Sequence, residues 1–171
     1  MKPTIERPLL AFGAHPDDIE FGCGGVVAAE VQRGRAAHLV VCSRGEAGSN
    51  GTPALRAREA RQAARELGAG IEFAHLGGDA HFTPTPAHAI RLAAIIRRVR
   101  PAVVLAPTTV ENQHPDHAVL GRLVRDACRF ARFGGLRELR KTPPHAIGQL
   151  FFYAVTHEAE PAGDGPVLVD I

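Results

Sequence analysis

The stretch Leu9-Leu10-Ala11-Phe12-Gly13-Ala14-His15-Pro16-Asp17-Asp18 decides how this chain reads. An apolar run of strand character stops at Pro16 and leaves one imidazole and two adjacent carboxylates in the turn that follows. His15 and Asp18 supply a nitrogen and an oxygen of the kind zinc accepts, at a strand end where side chains are well placed to hold a metal. Asp17 is left over. A carboxylate beside a metal but not bound to it is the usual base for a water that the metal activates.

Outward from this stretch, Gly22, Gly24 and Gly25 lead into Val26 to Val31, which reads as a helix ending at Gly34. The run Gly22-Cys23-Gly24-Gly25 lacks GxGxxG spacing, so it reads as close packing of a helix on a sheet and not as a dinucleotide-binding turn. His38 to Cys42 is a second, near-continuously apolar strand. The Gly-, Ser- and Asn-rich loop from Ser43 to Pro53 is long for a strand-to-helix connection, and such loops commonly carry function. Residues 54 to 67 form a helix capped by Gly68, and Ile71 to Leu76 a short third strand. Gly77 to Pro84 makes another loop, residues 86 to 99 a helix and residues 101 to 107 a fourth buried strand. That strand runs into Gln113-His114-Pro115-Asp116-His117, and Ala118 to Phe133 is the next helix. Residues 134 to 146 are basic, proline-containing and irregular, before two more strands at Leu150 to Val155 and Val167 to Ile171.

Strands alternating with helices specify an α/β fold, a mostly parallel sheet covered on both faces with right-handed crossovers. Ligands of such sheets bind at the carboxyl ends of the strands, where strand order reverses. The loops of His15 and of His114 lie at such ends, after the first and fourth strands, and can meet in space.

A length of 171 residues fits one domain, and 45% hydrophobic with 22% charged residues is a soluble globular composition. A formal charge of +2, with arginines dispersed at helical spacing, argues against nucleic acid as a partner. No apolar run approaches the ~20 residues of a membrane helix, and residues 1 to 8 lack the core of a signal peptide, so the expectation is a cytoplasmic protein without a membrane partner. Cys23, Cys42 and Cys128 are odd in number and without CxxC spacing, which reads as core packing.

His15 and Asp18 need a third ligand, from His114 or His117, to complete a catalytic zinc set with one position open. His117 is taken as that ligand. His114, nearer the loop, is then free to donate to a developing oxyanion or to protonate a leaving amine. A single His-Pro-Asp is more often a turn than a metal site; two of them at the ends of different parallel strands change that balance. His38, His75, His88, His145 and His157 read as surface or strand-end residues, and His81 sits on a loop able to reach the site. Glu46 reads equally as a hydroxyl acceptor and as a solvated acid. Arg56 is a ligand-binding or solvated helix arginine, and Asp79 a turn-former after Gly77-Gly78. A metal-dependent phosphoesterase is a competing enzyme reading, and a non-catalytic sugar- or metal-binding module the non-enzyme one.

Ala14-His15-Pro16-Asp17-Asp18 followed by Glu20, with His114-Pro115-Asp116-His117, resembles the two signature motifs of the PIG-L/LmbE-like zinc-dependent de-N-acetylases. Gly45-Glu46, the Arg56 to Gly68 helix and Leu76-Gly77 extend the likeness, which spans residues 8 to about 155. The resemblance implies a Rossmann-like fold and removal of an N-acetyl group from a glucosamine-type sugar, with His15, Asp18 and His117 as metal ligands. By the same likeness Asp17 is the base, His114 the oxyanion-stabilising or acid histidine, and Asp116 the group that orients a neighbouring imidazole. Glu46, Arg56 and Asp79 fall where relatives bind sugar hydroxyls. The implied cofactor is one Zn2+ per chain, with Fe2+ as an alternative, and the implied assembly a trimer or hexamer. Relatives continue past a strand like Val167 to Ile171 into a segment that shapes the pocket, so the expectation is a single domain over residues 1–171 lacking that segment.

Overall fold

The computed structural model describes residues 7–111 and 114–156, with Val167, Val169 and Ile171. In chain order the elements are β1 (Leu9–Gly13), α1 (Asp18–Gln32), β2 (Ala37–Val41), α2 (Pro53–Glu66), β3 (Gly70–Phe73), α3 (Pro86–Val99), β4 (Val103–Pro107), α4 (Pro115–Arg132) and β5 (Gln149–Tyr153). A single 3-10 turn, Arg137–Leu139, precedes β5.

The strands form one parallel sheet in the order β3-β2-β1-β4-β5. The chain builds outward from β1 to β2 and β3, then returns to place β4 and β5 on the other side. The reversal therefore falls between β1 and β4, the crevice where open α/β sheets bind ligands. Every residue of β1 is buried, and its alternation splits the core: Leu10 and Phe12 pack with Leu92, Ile96 and Leu120 of α3 and α4, whereas Leu9 and Ala11 pack with Ile19, Val27 and Ala64 of α1 and α2. The result is the Rossmann-like three-layer sandwich that the alternation of elements specifies. Phe12 is fully buried, and its truncation to Ala is worth about 3–5 kcal/mol.

Three helices start alike. Thr52, Thr85 and His114 each stand before a proline, adopt extended backbone and accept a backbone N–H from the first turn with the side chain. The start of α1 is different: Asp17 precedes it with φ 95° and makes no side-chain cap. At α4, a Cβ on Gly121 would lie 2.4 Å from Pro107 O and 2.9 Å from Thr108 O, so the helix rests directly on the carbonyls that end β4.

Several expectations are corrected. Helix α1 begins at Asp18 and not at Val26. The glycines placed ahead of that helix lie within it, with a kink at Cys23 (φ −152°), and Gly22 packs the helix closely on the sheet, since a Cβ there would lie 2.2 Å from the Tyr153 ring of β5. Strand β3 ends at Phe73, the last residue in register with β2, short of the expected Leu76. His145 is buried and not superficial, its Nε2–H donating to Pro101 O at 2.7 Å. Arg97 is also buried, and its guanidinium donates to the carbonyls of Ala131, Phe133, Leu139 and Thr142. His157 and most of the strand expected at Val167 to Ile171 lie outside the described residues. Cys23, Cys42 and Cys128 are free and buried, as read. Among the described residues, no helix is long and apolar enough to cross a membrane.

Candidate metal centre

Two strand ends deliver the polar side chains. After β1, Asp18 opens α1 and turns its carboxylate back on the chain, so that Oδ2 accepts the backbone N–H groups of Ala14 and His15, both at 2.9 Å. After β4, Pro115, Asp116 and His117 form the first turn of α4, and His117 reaches across the crevice. Its Nε2 lies 3.1 Å from Asp18 Oδ1, while His15 Nδ1 lies 3.4 Å from Asp18 Oδ2.

His15, Asp18 and His117 are thus brought together, buried, with donor atoms within 4.8 Å of one another. Their chemistry fits a divalent cation. Two imidazole nitrogens and a carboxylate oxygen are zinc-type donors, and bonds of about 2.0–2.1 Å in a tetrahedron put neighbouring donors about 3.3 Å apart, close to the two imidazole-to-carboxylate spacings of 3.1 and 3.4 Å, which run to different oxygens of Asp18. Burial alone would raise the Asp18 carboxyl, but His117 and His15 outweigh it and hold the group far below the ordinary carboxylate range. Burial alone would likewise depress the His15 imidazole. Asp18, Asp79 and Asp116 crowd it and raise its proton affinity instead, a field that favours any cation in this position.

Asp17 stands apart from this group. Its side chain is 53% exposed, and Oδ2 lies 3.3 Å from Arg56 Nη2. Partial burial, joined by the Asp18 charge, pushes its carboxyl above the ordinary value, with Arg56 and His15 pulling the other way. A positive φ on a residue other than glycine costs about 1–3 kcal/mol, somewhat less for Asp. The chain therefore holds a half-exposed carboxylate in a strained position beside the donor set.

His114 caps α4. Its Nδ1 accepts Asp116 N–H at 3.3 Å, which leaves the proton of the neutral ring on Nε2. Burial and the neighbouring His15 lower its pKa, so the neutral ring is favoured. Asp116 is buried, accepts Ala80 N–H at 2.7 Å and sits 3.3 Å from His15 Nε2.

Of the three residues expected to meet sugar hydroxyls, each has protein partners. Asp79 is buried, with Oδ1 3.2 Å from His15 Nε2 and 3.5 Å from His114 Nε2. Its loop is clasped to the one after β2: Glu46 Oε2 accepts Asp79 N–H at 3.1 Å and Arg44 N–H at 3.0 Å, and Asp79 Oδ2 accepts Ala47 N–H at 3.2 Å. Arg56 donates to Pro16 O at 3.0 Å as well as to Asp17. His81 turns its Nδ1 to Asp79 O at 2.7 Å and stays outside the His15, Asp18 and His117 group.

The cleft over the donor set has a volume of about 470 Å³ and is lined by Asp17, Arg56 and His114 on its polar side and by Phe21 and Val155 on its apolar side. Phe21 is 79% exposed. Sequence reasoning did not find it, because a phenylalanine in a helix gives no signal of facing solvent until the neighbouring loops are placed. A second hollow of about 520 Å³ adjoins the first, around Glu46, His75 and His81.

The family described as PIG-L: GlcNAc-PI de-N-acetylase matches residues 10–128, more than half of the chain. Among curated proteins the chain is similar to 4-oxalmesaconate hydratase of Pseudomonas putida KT2440, 31% identical over 146 residues that cover 78% of this chain and 56% of that protein. It is also similar to YaiS of Escherichia coli K12, described as an uncharacterized deacetylase, 33% identical over 134 residues covering 72% of this chain and 69% of that one. Among solved structures, the conserved protein TT1542 from Thermus thermophilus superposes with a TM-score of 0.76 at 34% identity, covering 94% of this chain and 68% of that one. The chain spans little more than half of the hydratase's length. The family match runs from β1 through most of α4 and takes in every residue of the donor set: the chain belongs to the PIG-L family.

Proposed function

We propose that this protein is a metal-dependent hydrolase that removes the N-acetyl group from a GlcNAc-type sugar or conjugate, with one Zn2+ in the His15, Asp18 and His117 group and Fe2+ as the other candidate ion. The observation that carries the reading is the half-exposed Asp17 carboxylate, next in sequence to a buried ligand and opening on the same cleft. The family description and the likeness to a deacetylase support amide chemistry.

His15, Asp18 and His117 would hold a divalent ion, which when bound would supply the charge that lowers the pKa of a water and polarises the acetamide carbonyl. Asp17 takes a proton from that water as its oxygen attacks the carbonyl carbon. His114, with Nδ1 engaged by the backbone, keeps its proton on Nε2 in a ring that lines the cleft, where it stabilises the oxyanion as it develops. Asp116 fixes the His15 ring from the far nitrogen. Asp17, now protonated, returns the proton to the departing nitrogen, and the products are a primary amine and acetate.

The test is amine release from a panel of N-acetylglucosamine derivatives and short chitooligosaccharides, run with zinc-loaded protein, chelated protein and Asp17→Asn. Release is expected only where both metal and Asp17 are present; release that survives chelation sinks the reading. The 31% likeness to a hydratase favours one second reading, addition of the same activated water to a conjugated double bond. Consumption of 4-oxalmesaconate by the zinc-loaded protein, with silence across the amide panel, would select it.

A further inference from the structure

Arg56 is the third residue after Pro53 in α2, yet its guanidinium ends at the turn between β1 and α1. Nη2 donates both to the Pro16 carbonyl at 3.0 Å and to Asp17 Oδ2 at 3.3 Å. One group therefore grips the peptide entering Asp17 and the carboxylate leaving it. Between the two lies the left-handed backbone of Asp17, at φ 95° and ψ −24°. The Asp17 side chain caps no helix N–H; its carbonyl accepts Phe21 N–H at 3.0 Å from the helix side, and the hold on its carboxylate comes from Arg56.

The loop after β2 is shaped around the same guanidinium. A Cβ on Gly45 would lie 2.0 Å from Arg56 Nη1, and one on Gly48 would lie 2.9 Å from it. In both cases the nearest atom is the free end of the Arg56 side chain, which would be pushed aside; Gly45 in addition stands at φ 68°, where a side chain strains the loop itself. The Arg56 side chain is only 20% exposed. A group folded into its own protein on two sides is poorly placed to serve chiefly as a ligand for sugar hydroxyls.

We propose that Arg56 is a positioning residue for Asp17, and that the glycines of the loop after β2 form the seat that lets its guanidinium hold the strained carboxylate at the metal group. The inference rests on the reading of Asp17 as the base and assigns Arg56 a role in kcat, where a sugar ligand would act on KM. A base displaced by about 1 Å loses on the order of 10²-fold in rate.

The experiment uses the full zinc-loaded chain and four variants, Arg56→Ala, Arg56→Lys, Gly45→Ala and the double variant Gly45→Ala with Arg56→Ala. Arg56→Ala is expected to lower kcat by about 10- to 100-fold with KM within about threefold and metal content unchanged. Arg56→Lys, with a point charge that serves one of the two acceptors, is expected to fall between. Gly45→Ala should reproduce part of the loss, and the double variant should be no worse than Arg56→Ala alone, because both act on one guanidinium. A KM raised tenfold or more with kcat intact overturns the proposal in favour of a substrate ligand. Additive losses in the double variant overturn the seat. Crystal structures of the wild type and Arg56→Ala give a readout independent of turnover: Asp17 should leave the positive-φ region when the guanidinium is removed. Unchanged Asp17 geometry there overturns the proposal, while absence of any amide turnover in the wild type overturns only the proposed function. Should Gly45→Ala fail to fold, Gly48→Ala replaces it with a gentler intrusion and a smaller expected loss.

Discussion

The tripeptide His-Pro-Asp occurs twice in this chain, at 15–17 and at 114–116, each time after a parallel strand. The two copies fold differently. In the first, the helix begins only after the aspartate, so Asp17 stays outside α1 in left-handed backbone with its side chain 53% exposed. In the second, the histidine itself is the cap, so Pro115 and Asp116 lie inside α4 and Asp116 is buried under the His15 ring. A shift of two residues in where the helix starts turns one aspartate toward solvent and the other into the protein. The clustered side chains follow the same shift: Asp18 comes directly after the first copy and His117 directly after the second. Identical letters thus supply a half-exposed carboxylate at one strand end and a buried one, against the His15 ring, at the other.

The widest separation between the copies is expected in turnover. Asp17→Asn should lower kcat by about 10²–10⁴-fold with metal content intact, whereas Asp116→Asn should weaken metal affinity and activity together by about 10- to 100-fold. Parallel kinetics and metal analysis check this, and equal metal loss in both variants would erase the contrast. Stability should part them in sign. Asp17→Gly relieves a positive φ at a half-exposed site and is expected to raise the unfolding free energy of the chelated protein by up to about 1 kcal/mol. Asp116→Gly puts glycine in the first turn of a helix and strands Ala80 N–H, and should cost about 2 kcal/mol. Urea unfolding of both variants decides it.

The smallest effect lies far from both copies and sets the scale of a pair that does neither job. Glu72, on β3, is paired with His38 at 3.0 Å and with Arg98. Burial alone would raise its carboxyl, yet Arg98 and His38 pull it below the ordinary value. A depressed carboxyl contributes stability above its unfolded pKa and loses it as pH falls through the folded one. Glu72→Gln should therefore destabilise by less than about 1 kcal/mol at neutral pH, and by nothing once the pH is below the carboxylate range. Urea midpoints at the two pH values measure the difference.

The layers, the sheet and the meeting of His15, Asp18 and His117 were legible because each rests on a short local pattern: an apolar strand, a proline stop and polar residues at the carboxyl end. What the sequence hid depends on contacts distant in the chain. Gly22 reads as close packing of a helix on the sheet, but the surface it meets, the Tyr153 ring, comes from β5. His145 looked superficial because its partner is the carbonyl of Pro101, and Asp79 looked like a turn because the imidazoles it faces belong to β1 and α4. Glu46 and Arg56 were identified as residues of the site, but not that their bonds run to the chain itself. Polar residues in a loop announce an interaction without naming its partner.

Gly121 touches neither metal group nor cleft, yet it sits four residues beyond His117 on a helix pressed against the carbonyls of Pro107 and Thr108. Any side chain there would lift α4 from the sheet and carry His117 away from Asp18. In evolutionary terms, packing and the geometry of the His15, Asp18 and His117 group share one constraint at this position. A mutation at residue 121 would be selected against as though it had struck that group itself.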